Sequence, residues 1–413
     1  MRTSGSDIQA MTLVEEIGRK RGVTMAQSMA KPFRLRELRA RLAELIGRTA
    51  AGARSPHRLA RCDDARQSCG MLGCASTGRF LAAALAVAAS AGVPVPAAAE
   101  TLSAGWMDLA LTDPVEGGPM RAIAVYPTTA AAGTSTLGPF IIEAVRGAAP
   151  APGQRALVVL SHGTGGSMLG HHDTLVALAR AGFVAAAVEH PRDNFRDASG
   201  FATDLQLIGR AHHMVALIDG VLADRTLGPL VDRARIGVAG FSAGGYTALL
   251  MVGARPDFAR FADYCKAEPG DALSCGPATR AAAQQPRKAG LALVSDDRVR
   301  AASVMAPALG YLFDKSGLAD VTVPIRLYRA GADEVLRYPW NAERVRQMLP
   351  TPPEYAVIEG AGHYVFLAPC PPALAAQIPA ICTDPPGIDR RAIHAQLNAD
   401  MVAFFGKTLG GRP

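Results

Sequence analysis

From Arg155 to Gly362 short apolar runs alternate with helix-like stretches, and this alternation limits the architecture more than any other feature. The runs are "RALVVLSHG" (155–163), "FVAAAVEHP" (183–191), "ARIGVAGF" (234–241), "VRAASVMAP" (299–307), "VPIRLYRAG" (323–331) and "EYAVIEGAG" (354–362). Each is strand-length and almost wholly apolar, which suits a strand covered on both faces. Between them "HDTLVALARAG" (172–182), the stretch 202–225 and "YTALLMVGA" (246–254) read as helices, and "HAQLNADMVAFFGKTL" (394–409) closes the chain as another. "WMDLALTD" and "RAIAVYPT", joined across "PVEGGP", add two opening strands. The expectation is an α/β fold: a mostly parallel central sheet with helices on both faces, formed by one domain over 100–413. The chain has no internal repeat.

A formal charge of +7 invites a nucleic-acid or anionic-membrane partner, but the charge is unevenly placed. Residues 1–99 hold 15 Lys/Arg against 7 Asp/Glu, which leaves 28 against 29 of the chain's 43 and 36 for the remainder. The body is near neutral, so no nucleic-acid partner is expected. Within the basic leader, Arg79 precedes the apolar run "FLAAALAVAASAGV", followed by "PVPAAA" with Ala97 and Ala99 at −3 and −1 of a cleavage point. That order is an export signal over 71–99, with no stable membrane span, because 14 apolar residues are too few. Counting from Met71 gives the signal an ordinary length, so 1–70 is expected to be untranslated or disordered.

Beyond the leader four cysteines remain, Cys265 and Cys275, then Cys370 and Cys382. Two local pairs suit an oxidising compartment, periplasmic or extracellular, and pairing within each is the simplest of three connectivities. Both pairs fall in stretches that interrupt the alternation, 256–298 and the Pro-rich 369–389. Each reads as an excursion stapled because it has no core of its own, either a lid over a pocket (256–298 above all) or a surface decoration.

At the joint of one strand and one helix stands "VAGFSAGGYTALL" (238–250), with Gly240-Phe241-Ser242-Ala243-Gly244 at its centre. Gly-x-Ser-x-Gly between strand and helix is the nucleophile elbow, a turn so tight that the flanking positions admit no side chain. On this motif the chain resembles the α/β-hydrolase superfamily. "VVLSHGTGG", "LARAGFVAAAVEHPRDN", "GADEV" and "GAGHYVFL" bring it nearer to the group called predicted dienelactone hydrolases, and more distantly to platelet-activating-factor acetylhydrolases. True dienelactone hydrolases use a cysteine where this chain has Ser242, so dienelactone is not the expected substrate.

The resemblance implies a Ser-acid-His order along the chain. Only His363 and His394 follow Ser242; His363 lies in a Gly-rich loop after the last strand, where the family places its base, and His394 reads as a surface residue of the closing helix. Asp333, after Gly331, is the expected acid, with Glu334 in reserve; Asp296 and Asp297 precede a strand and belong to the wrong end of the sheet. Ala243 and Thr164, the latter in "LSHGTGGS", are the implied backbone donors of an oxyanion hole. Glycines 163, 165 and 166 do not make a dinucleotide fingerprint, since 168 is Met. His162 reads as a loop-fixing residue and Asp193 as a structural one. His171-His172 and His212-His213 are expected to be solvated or at the core edge, because helix neighbours point about 100° apart.

Together these features imply a serine hydrolase of carboxylic esters working through an acyl-enzyme, with no cofactor and no metal. An amidase or peptidase would use the same triad. A non-catalytic binding protein on the same fold is the reading from another class, and a short-chain ester assay of the wild type against Ser242→Ala discriminates it.

Overall fold

The computed structural model describes residues 102–284 and 288–410. The expected export signal, its cleavage point and residues 1–70 lie outside them.

The apolar runs become the middle of a nine-stranded sheet: β1 (Ser103–Thr112), β2 (Pro119–Thr128), β5 (Val145–Arg146), β6 (Arg155–Ser161), β7 (Val184–Val188), β8 (Val231–Phe241), β9 (Val299–Met305), β10 (Ile325–Ala330) and β11 (Glu354–Ile358). A separate hairpin joins β3 (Ser135–Leu137) to β4 (Phe140–Ile142). The strand order is β11-β10-β9-β8-β6-β7-β2-β1-β5. Every pair from β7 through β6 and β8 to β11 is parallel, whereas β1 and β2, the two expected opening strands, pair antiparallel with each other and β2 with β7.

Alternate residues of each central strand feed opposite faces. Leu157 and Val159 of β6 join Val184 and Ala186 of β7 on one face, under α2 (Arg210–Ala223) and α3 (Ala243–Met251). Val158 and Leu160 join Ala185 and Ala187 on the other, under α1 (His172–Arg180) and the closing helix Arg390–Leu409. Two buried layers explain why these runs lack the polar alternation of a one-sided sheet. A single π-helical turn, Leu205–Gly209, leads into α2.

Cys265–Cys275 and Cys370–Cys382 are the two disulfides, the local pairing expected. The first excursion folds into short helices, Arg260–Ala267, Ala272–Cys275 and Pro277–Ala283. No helix among the described residues is long and apolar enough to cross a membrane.

Candidate active site

Parallel strands deliver their carboxyl ends to one rim, and loops leaving that rim collect the chemistry-bearing side chains. β8 ends at Phe241, and Ser242 takes φ 55° and ψ −118°, a conformation L-residues rarely adopt. The turn closes against its neighbours: a Cβ on Gly240 would lie 2.0 Å from the Gly244 carbonyl oxygen, and one on Gly244 would lie 1.9 Å from that of Ser161. Only hydrogen fits at both places, because helix α3 starts hard against the end of β6. Ala243 supplies the first amide of that helix, in the turn whose N–H groups have no intrahelical partner.

Asp333 follows β10 and His363 follows β11. Their loops are tied together by Gly331 N–H to Ile358 O (2.8 Å) and Ala332 N–H to Ala361 O (2.9 Å). Asp333 Oδ1 accepts the amides of Val335 (3.0 Å) and Leu336 (2.8 Å), which fixes the carboxylate. Its Oδ2 then lies 2.8 Å from His363 Nδ1. The ring donates from Nδ1, which leaves Nε2 as the unprotonated, basic nitrogen. His363 is buried, its ring centroid 4.8 Å from that of Phe241. Glu334, the reserve acid, makes a different contact: its Oε2 accepts the main-chain amide of His363 (2.9 Å). It supports the loop that carries the imidazole.

Ser242 and His363 line one cavity of about 740 Å³, together with Gly163, Thr164 and Ala243. Among the described residues no hydrogen bond joins the Ser242 hydroxyl to the ring. In sites of this kind that bond is often long before substrate arrives and tightens around it. All five expected site residues therefore border one space or, for Asp333, hold a group that does.

Beneath the loop that carries Thr164 runs a buried polar network that sequence reading recognised only in part. Arg210, wholly buried on α2, donates to Asp193 Oδ2 (2.6 Å), to Ser161 Oγ (3.1 Å) and to the His162 carbonyl. Asp193 Oδ1 accepts the Gly165 amide (2.9 Å), and Gln206 Nε2 bridges Asp193 Oδ2 (3.0 Å) and Thr164 Oγ1 (2.8 Å). On the other side Ser161 Oγ meets His190 Nε2 (2.8 Å), His190 Nδ1 meets His213 Nδ1 (3.2 Å), and His213 Nε2 meets Asp113 Oδ1 (3.1 Å).

One proton arrangement satisfies the three histidines. His213 donates to the Asp113 carboxylate, so its Nδ1 accepts from His190 Nδ1–H, and His190 Nε2 accepts from the Ser161 hydroxyl. His162 accepts the His190 amide at Nε2 (3.1 Å) and donates from Nδ1 to the Gly163 carbonyl (2.7 Å). All three rings are neutral in this arrangement. Burial, reinforced by the Arg210 charge, pushes His162 down to about 3 and holds His190 well below its ordinary range. Burial likewise lowers His213, against the pull of Asp113.

Two expectations about histidines are corrected. His394 is buried, with Nδ1 2.6 Å from Asp173 Oδ2 and Nε2 2.9 Å from the Val365 carbonyl, because the closing helix turns that face toward α1. His171 and His213 are core residues as well, whereas His172 and His212 are half-buried, at the core edge as expected. Burial pushes His171 down to about 4. His162, as expected, fixes its loop, and Asp193 is structural. The signal for Arg210 was present: it occupies the helical stripe of Met214, Leu217, Ile218 and Val221, where a cation needs a buried partner.

These histidines set an acid limit on stability. Their folded-state values lie below the unfolded value of about 6.5, so the stability they contribute is full above that pH and is lost as pH falls through the folded values. Between pH 6 and 5 unfolding takes up nearly one proton each at His162, His171 and His190. The expected slope is about 1.4 kcal/mol per pH unit per proton, with stability rising with pH. Urea midpoints measured from pH 7 to 5 check this; a flat profile would contradict the neutral cluster.

No family model matches the chain, and no curated protein matches it. Among solved structures, the ferulic acid esterase from Streptomyces cinnamoneus aligns at 21% identity and a TM-score of 0.50, over 78% of this chain and 94% of that one. The strand order, the turn at Ser242 and this alignment agree: the chain has the α/β-hydrolase fold.

Proposed function

We propose that the protein is a serine hydrolase acting on carboxylic esters. Ser242 Oγ attacks the carbonyl carbon while His363 Nε2 takes its proton, and Asp333 holds the imidazole in the required tautomer and stabilises the imidazolium. The oxyanion is held by the backbone N–H groups of Thr164 and Ala243. His363 then gives its proton to the leaving alkoxide. Water, deprotonated by the same nitrogen, cleaves the acyl-enzyme. The observation that carries this reading is the 2.8 Å contact of Asp333 with a ring that borders the same cavity as the strained Ser242. The esterase named among the structural neighbours favours an ester over an amide bond.

Export fits the same picture. The two disulfides are compatible with an oxidising compartment, to which the signal at 71–99 would deliver the domain.

A fluorophosphonate, which phosphonylates activated serines, tests the nucleophile directly. Wild-type protein is expected to be labelled at Ser242 with loss of any ester hydrolysis, and Ser242→Ala to resist labelling. Equal labelling of the two proteins would remove Ser242 from the mechanism.

A further inference from the structure

The cavity at Ser242 has walls of a particular chemistry. At about 740 Å³ it falls within the range of pockets that enclose a drug-sized ligand, far beyond what an acetyl group needs. Phe258, Phe261 and Leu273 line it from the stretch stapled by Cys265–Cys275. Leu205 and Leu207 of the π-helical turn and Leu336 after Asp333 supply further apolar surface.

The charged residues on its lining are engaged with one another or with the backbone. Arg192 (2.7 Å) and Lys288 (3.3 Å) share the carboxylate of Glu116, and Asp204 accepts the Lys288 amide (2.7 Å). Asp271 accepts the Tyr264 hydroxyl (2.5 Å) and the Ser274 amide (3.0 Å), and Arg337 donates to the Gly270 carbonyl (3.4 Å). Glu334 holds the His363 amide. Among the described lining residues three cations, Arg192, Lys288 and Arg337, face four anions, Glu116, Asp204, Asp271 and Glu334, so the formal balance is −1. A substrate carboxylate entering this space meets an adverse field and loses hydration without gaining a dedicated cation.

Resting on the ester-hydrolase reading, we infer that the site takes uncharged esters with a bulky apolar acyl group, and that the disulfide-stapled stretch is the wall that selects them. Small esters leave most of the apolar lining unused. Acids and esters with a terminal carboxylate are rejected. The excursion is thus part of the binding site instead of a surface decoration.

The test compares p-nitrophenyl acetate, octanoate and the monoester of suberic acid, which share one leaving group. Octanoate is expected to exceed acetate in kcat/KM by at least about tenfold, since added apolar contact is realised along the chain. The suberate monoester, of the same acyl length with a terminal carboxylate, is expected to fall at least about tenfold below octanoate. In Leu273→Lys, which places a cation on the half-buried wall, the suberate-to-octanoate ratio is expected to rise several-fold. Equilibrium dialysis of octanoate and suberate esters against Ser242→Ala reads the same preference without turnover. Hydrolysis of acetate with a flat chain-length profile, or equal use of suberate, would overturn the inference and leave the hydrolase standing. No hydrolysis of any ester, with octanoate still bound in preference to suberate, would overturn the catalytic reading and leave the binding site.

Discussion

Ser242→Ala is expected to lower kcat on a chromogenic ester by about 10⁴-fold or more, with KM changed little and the urea midpoint unmoved. The substitution removes one oxygen at a position where alanine is no more strained than serine, so folding is spared. Asp333→Asn should cost about 10⁴-fold as well, because an amide no longer favours the Nδ1–H tautomer or the imidazolium. Glu334→Gln is expected to stay within about tenfold, since its contact is with the main-chain amide of His363 and a neutral acceptor oxygen can keep that bond. Steady-state kinetics on the three variants separates the roles. Losses of equal size at 333 and 334 would reassign the acid.

Asp193→Ala is expected to destabilise the fold by about 3–5 kcal/mol in urea unfolding. Both partners of the Arg210–Asp193 pair are almost completely buried, at 1% exposure each, so removing the carboxylate strands a guanidinium without its counter-ion. The same change frees the Gly165 amide and half the support of Gln206, so activity should fall along with stability. Combining it with Arg210→Met should recover part of the stability, because the uncompensated charge goes too. A loss below about 1 kcal/mol in the single variant would show that the pair is not held dry.

Much of the fold was legible because its physics is local. The run at β7 is apolar at every position and that at β6 at all but its two ends, Arg155 and Ser161, as suits strands between two helical layers, and both strands lie within a few residues of the expected runs. The short strands β3 to β5 and the helix Ala342–Met348 escaped notice, being too brief to show a period. Ser242, Asp333 and His363 were singled out by turn chemistry and by the chain order the resemblance implies, and the fold brings Ser242 and His363 to one cavity with Asp333 against the ring. The histidines were a different matter. His394 meets Asp173 across 221 residues, and His213 meets Asp113 across 100, so the burial of each depends on a partner no window contains. Likewise the 256–298 stretch reads equally as lid or ornament in the sequence, and the inference that it walls the binding site rests on the placement of Phe258, Phe261 and Leu273 on the cavity.

The packing at 240 and 244 has a consequence for any descendant of this chain. Those two positions are closed to side chains by carbonyl oxygens of the scaffold, whatever the serine between them does. A lineage that abandoned turnover would be free to change 242 but would still have to keep both flanking residues to preserve its shape. Their persistence would therefore trace ancestry of form, while the pairing of 333 with 363 would be the place to look for surviving chemistry.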